Sequence, residues 1–309
     1  MAFALQGSRR AWRRASLVAA AFPPVAAAFL ALRGAWKGWE ELHPARAPVS
    51  PAVAHSELPG LSDVSLRTAD GVKLHAWWRP GDHDAAVVLA HGWGANREQM
   101  LGQAVALARG GFGVLLVDLR GHGASGGRAN AGDGEQLDVQ AATDFLARQP
   151  AVGWIGAVGY SLGGTAVGLA ASGDPRIRAA VVEAAPPSLD AELVADFGAG
   201  GPWVVRSVRA TMRLLGVHAQ RVRLVDRVAG IAPRPLLLVY GERDELTAPA
   251  EARAIRDRAG GSSELWLVPG ARHADLEAVA GDGLARLLTD FLGRAREGDR
   301  LGSGAPPGR

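Results

Sequence analysis

The stretch Val158-Gly159-Tyr160-Ser161-Leu162-Gly163-Gly164 sets one serine among glycines, between an apolar run and an alanine-rich run. The upstream run, Ile155 to Gly159, reads as a buried strand, and the downstream run, Leu162 to Ser172, reads as a helix. A strand that turns directly into a helix at Ser161 reverses sharply. Positions two residues to either side must then lack a Cβ, or strand and helix collide. Gly159 and Gly163 read as that clearance, and G-x-S-x-G in a strand–turn–helix context presents a serine hydroxyl at the tip of the turn. The helix N-terminus behind Ser161 adds backbone N–H groups and a positive dipole end.

Outward from this turn the chain alternates. Val64–Thr68 and Val72–Trp78 flank Ala69-Asp70-Gly71 as a hairpin. Ala85–Ala90, Gly113–Asp118, Ile177–Ala184, Pro235–Gly241 and Glu264–Gly270 are continuous apolar runs, as in strands buried on both faces. Helix-length stretches lie between most of them, at Arg97–Arg109, Gly134–Gln149, Ala248–Ala259 and Ala274–Leu292. This order predicts an α/β fold, with a mostly parallel sheet of about eight strands and helices on both faces. Pro186–Pro233 breaks the alternation and reads as a small helical cap over the carboxyl ends of the strands, where open α/β sheets bind ligands.

A serine hydroxyl is a poor nucleophile until a base takes its proton, so a histidine held by a carboxylate is expected elsewhere. His273 in VPGARHADLE and Asp244 in VYGERDELTAP each stand just beyond a buried strand, in the order Ser, Asp, His. Glu242 and Glu245 are the alternatives to Asp244. His91 and His122 precede the serine among glycines and read as structural turn histidines. The oxyanion of a tetrahedral intermediate needs two donors. Leu162 N–H supplies one, and the loop His91-Gly92-Trp93-Gly94 offers Trp93 N–H as the second. The Trp93 indole is either a pocket wall or a core aromatic.

At these residues the chain resembles the α/β-hydrolase superfamily, in its serine-hydrolase branch with a short cap. The likeness runs from about Val64 to Leu292 and rests on HGWGANR, DLRGHGASGG, GYSLGG, GERDELTAP and GARHADL. It implies Ser161 as nucleophile, His273 as general base and then acid, Asp244 as its orienter, and Leu162 and Trp93 as oxyanion donors. It is most similar to bacterial esterases, lipases and serine-aminopeptidase-like members, some of them membrane-tethered. Ser161 in place of an aspartate argues against the dehalogenases and epoxide hydrolases of the same fold. The expected reaction is hydrolysis of an ester, thioester or amide through an acyl-enzyme, with no metal or organic cofactor. The alternative is a catalytically silent fold serving as a binding or scaffold protein at the cell envelope.

Composition sets the remaining bounds. The 309 residues are 48% apolar and 21% charged, as in a folded globular protein, and include no cysteine, which excludes disulfides, thiolate metal sites and a cysteine nucleophile. The pI of 9.9 belongs to the N-terminus. Met1–Arg46 carries seven cations against Glu40 and Glu41, a net +5; with +3 overall, the remainder is −2 and has no basic field for nucleic acid. Ala15–Leu32 is an uncharged stretch of eighteen residues, preceded by Arg9, Arg10, Arg13 and Arg14 and flanked by Trp12, Trp36 and Trp39. Residues 1–42 are therefore expected to form a membrane anchor with the catalytic domain outside the cytoplasm, or else a signal peptide cleaved on secretion.

Residues 43–60, rich in Pro and Ala, read as an extended tether; 61–296 as the hydrolase domain, with the cap at about 186–233; and 297–309 as a disordered tail. In the cap, Phe197, Trp203, Val204, Val205, Met212, Leu214 and Leu215 form either an acyl site or a core. Lipid-derived esters are one substrate class the first reading suggests. Arg206, Arg209 and Arg213 face anionic lipid, a substrate carboxylate or simply solvent.

Overall fold

The computed structural model describes residues 28–303. Eight strands form one sheet: β1 Ser62–Arg67, β2 Lys73–Arg79, β3 Ala85–Ala90, β4 Gly113–Val117, β5 Trp154–Tyr160, β6 Ile177–Glu183, β7 Leu236–Gly241 and β8 Ser263–Val268. Their spatial order is β1-β2-β4-β3-β5-β6-β7-β8. The β1–β2 hairpin and its junction with β4 are antiparallel, and every later pairing is parallel.

The apolar runs are buried on both faces because each face is covered. Along β3, Ala86, Val88 and Ala90 point into one core, with α4 (Glu135–Ala147), α5 (Leu162–Gly173) and α9 (Pro249–Ala259). Val87 and Leu89 point into the other, with α3 (Leu101–Arg109) and α11 (Asp282–Ser303). This is the period of two expected of a strand buried between two helical layers. The stretch expected as one helix over Ala274–Leu292 is two, α10 (Leu276–Ala280) and α11, broken at Gly281 with φ +50°. α11 then runs through residues 297–303, which were expected to be tail. Arg296 pairs with Asp84, and Asp299 pairs with Arg178.

The cap consists of α6 (Leu189–Phe197), α7 (Pro202–Leu214), the short α8 (Leu224–Arg227) and intervening 3-10 turns. Val204, Val205, Val208 and Met212 form its core with Leu189 and Leu193 of α6. Of the cap residues offered as an acyl site, then, Val204, Val205 and Met212 are core, whereas Trp203 and Leu214 are exposed. Arg206 lies over the Trp203 ring, and Arg209 pairs with Asp190 at 2.8 Å.

The N-terminal part differs from expectation. Residues 28–42 form a helix, α1, that packs on α7. Gly34 and Gly38 allow the approach: a Cβ on Gly34 would lie 2.5 Å from Ser207 Cβ, and one on Gly38 2.8 Å from the Val208 carbonyl oxygen. One turn further, Leu42 is fully buried in the cap core. Residues 43–60 are not a free extended spacer. Pro51 opens a helix, α2 (Pro51–Glu57), which sets Ala54 and, one turn on, Leu58 into the core beside Trp77. Burial of Leu58 alone contributes about 2 kcal/mol. The carbonyl of Pro48 accepts from Asn96 Nδ2 at 2.9 Å. Among the described residues no helix is long and apolar enough to cross a membrane. Of the expected anchor or signal sequence over residues 1–42, the part from 1 to 27 lies outside the described residues, as does 304–309 of the expected tail.

Candidate active site

β5 ends at Tyr160 and α5 begins at Leu162, so Ser161 forms the whole turn between them. Its backbone has φ +52° and ψ −111°, a left-handed conformation that costs a non-glycine residue roughly 1–3 kcal/mol. Ser161 N–H donates to the Glu183 carbonyl at 2.7 Å, and its own carbonyl accepts from Thr165 N–H at 2.9 Å. The flanking glycines are clearance in the literal sense. A Cβ on Gly159 would lie 2.2 Å from the Gly163 carbonyl oxygen, and one on Gly163 2.2 Å from that of Ala90.

The loops after β7 and β8 bring the other two candidates to this turn. Ser161 Oγ is 3.0 Å from His273 Nε2. His273 Nδ1 is 3.0 Å from Asp244 Oδ2 and 3.2 Å from Oδ1. The Asp244 side chain is sealed from solvent, and its Oδ1 also accepts the N–H groups of Leu246 at 2.9 Å and Thr247 at 2.8 Å. A carboxylate fixed as acceptor in this way draws the imidazole proton to Nδ1 and leaves the Nε2 lone pair facing the hydroxyl. The alternatives to Asp244 do not reach the ring: Glu242 accepts from Gly270 N–H, and Glu245 from the backbone N–H of His273.

The loop after β3 closes the site from the other side. Gly92 N–H donates to Gln99 Oε1 at 2.8 Å. Neither Trp93 N–H nor Leu162 N–H has a protein acceptor among the described residues. Leu162 opens α5, where first-turn N–H groups have no partner within the helix. Trp93 is not a core aromatic: it is 46% exposed, its ring lines the cavity, and its Nε1 donates to the Glu41 carbonyl of α1 at 2.9 Å.

His91 and His122 are structural. His91 is fully buried, donating through Nδ1 to the Gly92 carbonyl at 2.7 Å and accepting the Leu119 N–H at Nε2. Burial, and then the neighbouring His122, push its pKa down to about 3, so it remains a neutral clamp between the loops after β3 and β4. His122 Nδ1 donates to the Arg120 carbonyl. In the same loop, Asp118 accepts N–H groups of Arg97 and Ala124, each at 2.8 Å, and pairs with the Arg97 guanidinium.

Above Ser161 and His273 lies a cavity of about 510 Å³. Several of its residues have no site role that the sequence alone assigns. Tyr160 donates its hydroxyl to the carbonyl of His273, tying the residue before the serine to the histidine loop. Gln99 holds the loop that carries Trp93. Glu41, Glu192 and Asp196 line the side formed by α1 and α6, next to Phe197.

The comparisons with known proteins agree with this architecture. A family model for the alpha/beta hydrolase fold matches residues 85–220. An uncharacterised protein of Mycobacterium tuberculosis is 32% identical over 247 residues, spanning 77% of this chain and 82% of its own. The chain has the alpha/beta hydrolase fold. A bifunctional esterase/perhydrolase of Acinetobacter calcoaceticus is 33% identical over 132 residues, covering 40% of this chain and 45% of that one. Among solved structures, an esterase of Pyrococcus furiosus superposes with a TM-score of 0.71 at 27% identity, over 82% of this chain and 98% of its own.

Proposed function

We propose that this alpha/beta hydrolase cleaves carboxylic esters through an acyl-enzyme on Ser161. One observation carries the reading: the unbroken line from Ser161 Oγ to His273 Nε2 and from Nδ1 to Asp244, with 3.0 Å at each step. As Oγ attacks the ester carbonyl carbon, Nε2 takes its proton, and the N–H groups of Leu162 and Trp93 receive the developing oxyanion. The imidazolium, held by Asp244, returns the proton to the departing alcohol. Water then enters, loses a proton to Nε2 and attacks the acyl carbon, releasing the acid and restoring the Ser161 hydroxyl. These steps need no metal or organic cofactor. The esterases among the relatives support the substrate class.

The test is stopped-flow hydrolysis of p-nitrophenyl acetate. The proposal expects a burst approaching one nitrophenolate per protein, followed by slower turnover, with both absent in Ser161→Ala. Turnover that survives Ser161→Ala would refute it.

We also propose that the catalytic domain lies outside the cytoplasm, anchored by the N-terminal segment or released after its cleavage. Support comes from the basic and then apolar sequence before α1, and from Phe29, Leu32, Trp36 and Trp39, which recur at helical spacing along α1 and are exposed. Fractionation tests it: the protein is expected in washed membranes or the medium, and recovery in the soluble cytoplasm would contradict the placement.

A further inference from the structure

We propose that the cavity over Ser161 selects esters carrying an ammonium group, held by Glu41, Glu192 and Asp196. The inference rests on the Ser161 reading and names its substrate class.

The walls of the cavity are unequal in charge. Glu192 and Asp196 stand one turn apart on α6, and Glu41 lies in the last turn of α1. Trp93, Tyr160 and Phe197 supply aromatic surface, and no lysine or arginine is among the lining residues. None of the three carboxyls has a side-chain hydrogen bond or ion pair among the described residues, although cations are close by. Lys37 is taken by Glu40 at 2.6 Å, and Arg209 by Asp190. Lys37 and Arg33 line a neighbouring pocket that shares Asp196 and Phe197 with this one.

Gathering carboxyls without a bonded counter-ion is costly, most of all for the half-buried Glu41 and Glu192, and the pKa values register it. Burial raises Glu192 to about 8, with repulsion from Asp196 and Glu41 adding to it. Burial raises Glu41 to about 7, Asp196 again opposing its ionisation and Lys37 partly relieving it. Asp196 is likewise pushed up by burial. Among the described residues three acceptors for positive charge thus face one aromatic-walled space that no lysine or arginine lines. An ammonium guest completes the ion pairs and lies against ring faces, which attract cations. A carboxylate-bearing guest is repelled, and a long alkyl chain would desolvate the acids without replacing their solvation.

The test compares acetylcholine with its uncharged carbon isostere, 3,3-dimethylbutyl acetate, on the full chain by pH-stat at pH 8. A ratio of kcat/KM of at least tenfold in favour of the cation is expected, falling at least fivefold in Glu192→Gln and in Glu41→Gln, with thermal melts confirming that both variants fold. A ratio near one, or one that both substitutions leave unchanged, overturns the proposal. A second readout covers the case of slow turnover with both esters. Choline is expected to slow fluorophosphonate labelling of Ser161 more than 3,3-dimethylbutanol does at equal concentration. Labelling that choline does not slow refutes the cation site while the serine reading stands, whereas failure to label at all refutes the serine reading itself.

Discussion

Asp244→Asn separates the charge of the orienting residue from its shape. Asp244 Oδ1 accepts two backbone N–H groups, from Leu246 at 2.9 Å and Thr247 at 2.8 Å. An asparagine therefore turns its carbonyl oxygen to that side, because an NH2 there would face two donors. The NH2 then occupies the place of Oδ2, 3.0 Å from His273 Nδ1. Two donors cannot share that line, and the oxygen at the Oδ1 position, 3.2 Å from Nδ1, already accepts two N–H groups, so the imidazole proton moves to Nε2, the nitrogen 3.0 Å from Ser161 Oγ. The ring then presents a proton where it must accept one. In serine proteases this tautomer error lowers kcat about 10⁴-fold. That is about 5.4 kcal/mol at ~1.36 kcal/mol per tenfold. The fold keeps its hydrogen bonds, so the thermal midpoint is expected within a few degrees of wild type. The assay is steady-state hydrolysis of p-nitrophenyl acetate with a melting curve alongside. A kcat within tenfold of wild type, or a loss confined to KM, would refute the reasoning.

Three further outcomes follow from the same geometry. Tyr160→Phe removes the donor to the part-buried His273 carbonyl; a lost hydrogen bond of this kind costs about 1 kcal/mol, so kcat is expected to fall about fivefold with KM little changed, and parallel changes in both would contradict a positioning role. Gly163→Ala forces a Cβ to within 2.2 Å of the Ala90 carbonyl oxygen; at the upper end of overpacking, about 3 kcal/mol, the melting point is expected to drop roughly 5–10 °C, and an unchanged melt would contradict the clearance argument.

Glu183 is fully buried, with Gln103 as its side-chain donor, and burial raises its pKa to about 8. Between pH ~4.5 and 8 the folded state retains a proton that the unfolded chain has released, so this group makes stability fall as pH rises through that window. Glu183→Gln is expected to flatten the dependence of melting temperature on pH from 5 to 8, and an unaltered slope would refute the assignment.

What the sequence revealed and what it concealed have physical reasons. Strands buried on both faces are continuous apolar runs, so β3 was legible to the residue and the others to within one or two. Ser161, Asp244 and His273 were legible because each sits where a strand ends, and a strand end is a local feature. Contacts between distant surface segments have no such signature. The Pro- and Ala-rich composition of residues 43–60 read as a spacer, yet Pro51 starts a helix and Ala54 and Leu58 are core. Nothing in the sequence marks Gly34 and Gly38 within a glycine-rich chain, and only the approach of α7 reveals their use. Glu192 and Asp196 stand four apart on α6, a spacing the sequence carries, but their convergence with Glu41 depends on where α1 packs. Tyr160 lay inside the opening motif, but its partner is 113 residues away.

The most direct measurement is the intact mass of the protein after reaction with a fluorophosphonate, with the adduct located by peptide mapping. A single adduct on Ser161 in wild type, absent from Ser161→Ala and strongly slowed in Asp244→Asn, is the predicted result. An unlabelled wild type under conditions that label a control serine hydrolase, or equal labelling of Ser161→Ala, would contradict the account.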